Sequence, residues 1–457
     1  MKHKLLSLFV IISMLALTFT SLGAAPNKTI SINVLLSYDI NDELLADIGA
    51  HGRVKDVMPE IRALTMQVKV SELAVIRALP YVAAANPDAV RNAAPIDLVS
   101  AEDFSNGVST WDLDAINVTN FGEGRVADYD GTGVYVAVLD TGLVDVWRAF
   151  FPEERIAVNY AKSFGGGGGE VGFVSEQPNK WEHDQNSHGT HVTSTILGYS
   201  YRGTPVNGVA PMATIIPVKV LNQNGSGWSS TVAMGITYVA DLKAGPLADF
   251  PVVINMSLGG PSLDAIEQAA IDYAIAAGVI IVASAGNSGT RGMGYPGAYA
   301  PVISVAASGW IGEWTAAGWW RLLDVNDPID PLDFYITDFS SRELAGQDLD
   351  VAAPGSWVVG PYKINSGMSL SYYYLGGTSM ASPHVAGIVA LMAQKYPALT
   401  PEYAEVILEE SAIELSPGFR TVYGPSGQPK VYTWGADATG AGLATADAAL
   451  AATIPLP

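Results

Sequence analysis

The stretch VYVAVLDTGL, residues 134–143, sets the reading of the chain. Val134 to Leu139 is apolar with no polar residue alternating through it, so both faces of the segment must be covered, as in the interior of a parallel sheet. The run stops at Asp140, and Thr141-Gly142 follows as a turn. The same texture recurs at Thr214–Leu221, Val252–Met256, Val279–Ala283 and Val302–Ala306. Between these runs lie helical patterns such as Ala265–Ala277, suited to crossover helices. The predicted fold is therefore α/β, a mostly parallel sheet with helices on both faces. Sheets of this kind gather chemistry at the carboxyl ends of their strands, and Asp140, Ser257 and Asn287 each fall just after an apolar run.

Composition narrows what that chemistry can be. The 457 residues are 49% hydrophobic and only 15% charged, which allows a substantial core and excludes wholesale disorder. A net charge of −21 argues against nucleic acid and against anionic membrane surfaces as partners. With no cysteine there is no disulfide, no thiol nucleophile and no thiolate metal site. The start, Met1-Lys2-His3-Lys4, then an apolar run from Leu5 to Leu17, then Ser21, Gly23, Ala24 and Ala25, reads as a secretory signal peptide over 1–25. Residues 26–98 read as a small α+β unit, with strands at Ile30–Leu36, near Val54 and at Leu64–Val70, and helices from Asp42 and over Ser71–Leu79. Its last part, ANPDAVRNAAPID, reads as an exposed linker.

Three polar spots stand out from the apolar runs: AVLDTGL with Asp140, NSHGTHV with His188, and GGTSMASPH with Ser379. A serine hydroxyl is a weak nucleophile until an imidazole takes its proton, and the imidazole needs a carboxylate to fix its tautomer and stabilise its cation. Singly, each has a plainer reading: Asp140 as a turn residue, His188 as a buried or capping histidine, Ser379 as a helix N-cap.

Taken together, LDTGL, HGTHV and GTSMASPHVAG, in the order Asp, His, Ser, resemble the subtilisin-like serine proteases. The resemblance extends through VNGVAP (206–211), NMSLGG (255–260), SAGNSG (284–289), YPGAY (295–299) and DVAAPG (350–355), so it spans about 110 to 450. It implies that Ser379 attacks a peptide carbonyl, His188 carries the proton and Asp140 orients His188. It also implies that the Asn287 amide and the Ser379 backbone N–H stabilise the oxyanion. NGSGW and SLGG, with Gly225, Ser226, Gly227, Ser257, Leu258 and Gly259, would hold an extended polypeptide substrate by main-chain hydrogen bonds. Gly259, Gly286 and Gly294 would line the first specificity pocket, favouring large apolar or aromatic residues before the cut. The unit at 26–98 would be an inhibitory propeptide, removed by the enzyme itself between Asp88 and Asn106, and 99–457 the peptidase domain. The expected product is an extracellular monomer. Two other readings share the scaffold: a noncatalytic binding protein on a decayed protease, and a processing protease of narrow specificity.

The helix after Ser379 is expected to begin near Ser382, with Pro383 in its first turn. No cofactor is required for the chemistry and no metal ligand is assigned. Arg202 in SYRGTPVN argues against the calcium loop found in relatives. The acids Asp324, Asp327, Asp330 and Asp333 could hold structural calcium, but they lack EF-hand spacing and a solvated acidic loop is the plainer reading. These sit in an insertion, 310–335, that also carries Trp310, Trp314, Trp319 and Trp320, read as packing that loop onto its own domain. His183, His188 and His191 lie close in sequence, but zinc is disfavoured because His188 is already claimed. Gly165 to Gly169 reads as a surface loop without the Lys-Ser/Thr of a phosphate cradle.

Overall fold

The computed structural model describes residues 28–92, 97–100, 109–164, 179–201, 204–363 and 370–455. The signal segment, the glycine run at 165–169 and Arg202 lie outside these.

An eight-stranded sheet forms the centre of the body. In spatial order its strands are Lys162–Ser163, Thr214–Lys219, Tyr135–Asp140, Val252–Met256, Ile280–Ser284 and Ile303–Trp310. Phe334–Ile336 and Val351–Pro354 both pair with the last of these, and Phe334–Ile336 alone runs antiparallel. The strand Tyr135–Asp140 is flanked by Thr214–Lys219 on one side and Val252–Met256 on the other, so the strand order reverses at Asp140. That reversal leaves a crevice at the strand's carboxyl end.

Why the apolar runs lack alternation is visible in the two cores. Val136 and Val138 face one cluster with Val192, Val385 and Ile388, from helices His188–Leu197 and Thr378–Lys395. Ala137 and Leu139 face the other, with Val232, Ile236 and Ile266 from helices Ser229–Ala244 and Ala265–Ala276. Each strand residue thus has a helix to pack against, whichever way it points.

Residues 29–87 form a four-stranded antiparallel sheet with helices Asp42–Gly49 and Glu72–Arg77, around a core of their own that includes Ile32, Val34, Leu64 and Met66. Met58, Ile61 and Ala63 from this unit complete the cluster under Ala265–Ala276.

The exposed linker expected over 85–97 is not what forms. Val90–Asn92 is a strand paired antiparallel with Ser226–Trp228, Asp88 is buried, and Arg91 has no exposed surface. Asp97–Ser100 pairs with Ser371–Gly376 in another sheet. The partners of these short strands lie more than a hundred residues away, so no local pattern could announce them.

The insertion packs inward. Trp319 and Trp320 are fully buried, Trp111 stacks on Trp310 at 6.4 Å, and Trp319 stacks on Tyr374 at 5.9 Å. The aspartates do not converge into one site. Asp330 caps the turn at Leu332, Asp333 accepts a hydrogen bond from Asn326, and Asp324 and Asp327 lie near Asp114, whose carboxyl burial raises to about 6.

Candidate active site

Asp140 ends its strand with its side chain fully buried, and both of its carboxylate oxygens lie 2.9 Å from His188 Nδ1. The Asp140 carboxylate also accepts the Thr141 N–H at 2.6 Å. His188 opens the helix His188–Leu197, preceded by Ser187 in a left-handed conformation with φ 74°. A non-glycine residue holds that conformation only when its surroundings fix it. The fixing group is Asp184, which the sequence reading passed over. Its carboxylate accepts the Ser187 N–H at 2.6 Å, the Asn186 N–H at 2.8 Å and the Thr141 hydroxyl at 2.6 Å. Thr141 Oγ1 in turn accepts the Gly189 N–H at 2.9 Å. Asp184 therefore ties the residue after Asp140 to the residue before His188. Burial pushes its carboxyl up, and the nearby Lys219 ammonium pulls it back. Lys219 itself is buried and donates to the Thr141 and Leu221 carbonyls, each at 2.7 Å. The only sequence signal for Asp184 was an acid four residues ahead of a histidine.

Ser379 departs from expectation in an informative way. The helix begins at Thr378, not Ser382, so Ser379 sits in its first turn and Pro383 in its second. A proline there has no N–H to give the Ser379 carbonyl, four residues back. That carbonyl instead accepts the Ser257 hydroxyl at 2.8 Å. Ser257 is held in turn by Asn255, which also accepts the Ser382 hydroxyl at 2.7 Å. The end of the strand Val252–Met256 thus supplies what the helix lacks. The Ser379 N–H lies among the four leading amides of a helix, which have no intrahelical acceptor. The Ser379 hydroxyl donates to the Ser257 carbonyl at 3.2 Å, while His188 Nε2 is buried with no hydrogen-bond partner. Two members of the trio are in direct contact, and the third lies on a helix packed against that of His188.

Asn287 follows the strand Ile280–Ser284. Its Oδ1 accepts both the Thr378 N–H and the Thr378 hydroxyl at 2.9 Å, which fixes the amide with its NH₂ turned away from Thr378. A Cβ on Gly377 would stand 3.4 Å from that nitrogen, so the bare glycine keeps the approach to Ser379 open.

The cleft beside these residues already holds a peptide. Ser226 and Gly227 pair with Asn92 and Arg91, and Asn92 exchanges two backbone hydrogen bonds with Gly259, each 3.1 Å. Gly225 shapes the turn before that strand, and Leu258 is buried. Gly294 approaches both Gly259 and Gly286 closely enough that Cβ atoms there would touch it. The helix Ser229–Ala244 has no cap from its own preceding residue. Asp88 supplies one, accepting the Ser230 N–H at 3.2 Å and its hydroxyl at 2.6 Å.

The three histidines do not form a metal centre. His183 is exposed, and His191 Nε2 lies 3.2 Å from the Val358 carbonyl, with burial pushing its pKa down to about 3. Among the described residues, the group with carboxylate oxygens close enough to hold a metal is Asp348, Asp350 and Glu405, mutually within 4.8 Å. Three carboxylates suit a hard cation such as calcium.

A profile of the Subtilase family matches residues 131–435. The chain belongs to the subtilase family. It is 35% identical over 294 residues to a thermostable alkaline protease of Halalkalibacterium halodurans, covering 64% of this chain and 65% of that protein. It is 36% identical over 295 residues to subtilisin DY of Bacillus licheniformis, covering 64% of this chain and 88% of that one. Among solved structures it resembles fervidolysin from Fervidobacterium pennivorans, described as a keratinolytic enzyme related to subtilisin. That match has a TM-score of 0.66 and 25% identity, and covers 94% of this chain and 62% of fervidolysin. This subtilase therefore spans under two thirds of the length of two of these relatives. The family is one of serine endopeptidases, and its α/β architecture is the one described above.

Proposed function

We propose that this subtilase is a secreted serine endopeptidase of broad protein substrates that removes its own N-terminal segment. The observation that carries the reading is a buried Asp140–His188 pair at 2.9 Å, beside a cleft in which the chain's own Val90–Asn92 lies as an extended strand.

The Ser379 hydroxyl first rotates from the Ser257 carbonyl onto His188 Nε2, the buried ring nitrogen without a partner. Its oxygen then bonds to the peptide carbonyl carbon as its proton passes to Nε2, and Asp140 stabilises the imidazolium through Nδ1–H. The carbonyl oxygen gathers negative charge and is met by the Asn287 amide and the Ser379 N–H. Collapse breaks the C–N bond, with His188 protonating the leaving nitrogen. Water, deprotonated by His188, then cleaves the acyl-serine and restores both groups.

Removal of the leader falls, on this reading, between Asn92 and Asp97. Asn92 pairs with Gly259 on one side of the cleft, and Asp97 pairs with Gly376, three residues before Ser379, on the other. Secretion rests on the basic, apolar and small-residue succession at 1–25, and the free enzyme acts as a monomer on polypeptides, with its own leader as inhibitor.

Full-length protein and Ser379→Ala, each incubated with a fluorophosphonate probe and analysed by mass spectrometry, test the reading. The native chain should label and shorten to a terminus within 93–97, and Ser379→Ala should do neither. A Ser379→Ala chain trimmed like the native one would refute self-processing, and an unlabelled native chain would leave a noncatalytic scaffold.

A further inference from the structure

The leader strand Val90–Asn92 is bound on both edges as a substrate would be, and its side chains alternate. Val90 and Asn92 face outward, whereas Arg91 turns into the body and is completely buried. Its guanidinium meets Glu267, a residue of the helix Ala265–Ala276 that is also fully buried. Arg91 Nε lies 3.1 and 3.0 Å from the two Glu267 oxygens, Nη2 also donates to Glu267, and Nη2 reaches the Ser262 carbonyl at 3.0 Å. Nη1 donates to the Val90 carbonyl at 3.3 Å. Asp264 and Asp88 add negative potential around the guanidinium. Gly260 forms one wall, where a Cβ would come within 2.7 Å of Nη1.

We propose that this pocket is a specificity subsite for arginine, with Glu267 as its selecting residue, and that it reads the fourth residue before the bond that is cut. The inference rests on the endopeptidase reading above. The count comes from the ladder. Asn92 stands opposite Gly259, so a substrate residue two positions further on stands opposite Ser257. The Ser257 carbonyl is the acceptor of the Ser379 hydroxyl, which places that substrate residue's carbonyl at the nucleophile. The position of Arg91 is then three residues earlier.

Leader affinity alone does not call for this pair. An apolar side chain against an apolar floor holds as tightly as a buried ion pair, because desolvation cancels much of the Coulombic gain. Once the leader departs, however, the buried Glu267 carboxylate loses its counter-ion and is left with Asp264, a second acid, nearby. A substrate arginine restores the fork of hydrogen bonds, whereas leucine leaves the acid buried and unpaired. Lysine brings charge without the planar fork and should fall between the two.

The test uses full-length protein allowed to process itself, assayed on peptides differing only at the fourth residue before the cut. Arginine should exceed leucine in kcat/KM by on the order of 10- to 100-fold, and Glu267→Gln should reduce that ratio to roughly 3-fold or less. Glu267→Leu should reverse the preference. Because Glu267 also seats the leader, the paired variant Arg91→Leu/Glu267→Leu restores an apolar fit and keeps the reversal measurable if the single variants fail to mature. Equal cleavage of arginine and leucine peptides by the native enzyme, or an arginine preference that survives Glu267→Gln, overturns the subsite while leaving the peptidase standing. Absence of any turnover together with absence of fluorophosphonate labelling removes the peptidase reading, and the subsite with it.

Discussion

Replacing Asp184 by asparagine tests whether the contact between Asp140 and His188 is set locally or imposed from behind. The carboxylate accepts three hydrogen bonds, at 2.6, 2.6 and 2.8 Å, from Thr141, Ser187 and Asn186. Asparagine keeps one acceptor oxygen and turns an NH₂ toward a group that also donates, so at least one of the three bonds is lost and Lys219 loses a nearby counter-charge. Hydrogen bonds to a charged acceptor are worth about 1.5–3 kcal/mol each, which puts the loss of stability at about 2–4 kcal/mol. The catalytic consequence is separate. Ser187, at φ 74°, precedes His188 and is held there by the bond that weakens, so the imidazole should drift relative to Asp140. A displacement of a fraction of an ångström at a catalytic base costs on the order of 10- to 100-fold in turnover.

The assay is kcat and KM on a single peptide, with a thermal melt for each protein. The expected result is a lower kcat with KM little changed. A variant that melts lower yet keeps its kcat would show that Asp184 supports the fold and not the Asp140–His188 contact.

Two further outcomes follow from the same geometry. Asn287→Leu keeps the side-chain bulk but removes the amide, and should lower kcat by on the order of 10²- to 10³-fold with KM nearly constant, the range known for removing this donor within the family. A loss confined to KM in steady-state assays would contradict an oxyanion role. At the acidic cluster, burial first and neighbouring acids next raise Asp350 to about 7 and Glu405 to about 8. The folded protein therefore holds protons that the unfolded chain releases near pH 4, and stability should decline as pH rises from there through about 8. Glu405→Gln should raise the melting temperature at pH 9 by a few degrees and change it little at pH 5, since like charges about 5 Å apart repel by about 3 kcal/mol before screening. Added calcium should do the same for the native protein, and identical melting curves at pH 9 with calcium and with chelator would remove it.

The fold was legible where side chains were forced. A covered strand cannot alternate, so Val134–Leu139 and its counterparts declared a parallel sheet, and the acids and amides just past them marked the crevice. Local rules failed where a distant group had taken over a local duty. Pro383 pointed to a later helix start because prolines favour first turns. Here the Ser257 hydroxyl, 122 residues away, satisfies the carbonyl that the proline leaves open, and the helix can start four residues earlier.

The segment at 85–97 failed for the same reason, in the opposite direction. ANPDAVRN carries two charges and little apolar surface, which in isolation is the signature of a solvated linker. Asp88 is buried because it caps a helix that begins at Ser229, and Arg91 because its partner is Glu267, 176 residues later. The cap and the pair require an intact body to exist at all. Neither Asp88 nor Arg91 would leave water for an unfolded or misregistered chain, since each would then lose its hydration with no bond in return. Residues 29–92 can therefore seat fully only on a body whose two surface helices and cleft strands are already in place, which makes their docking a report on the structure of the cleft beside Ser379.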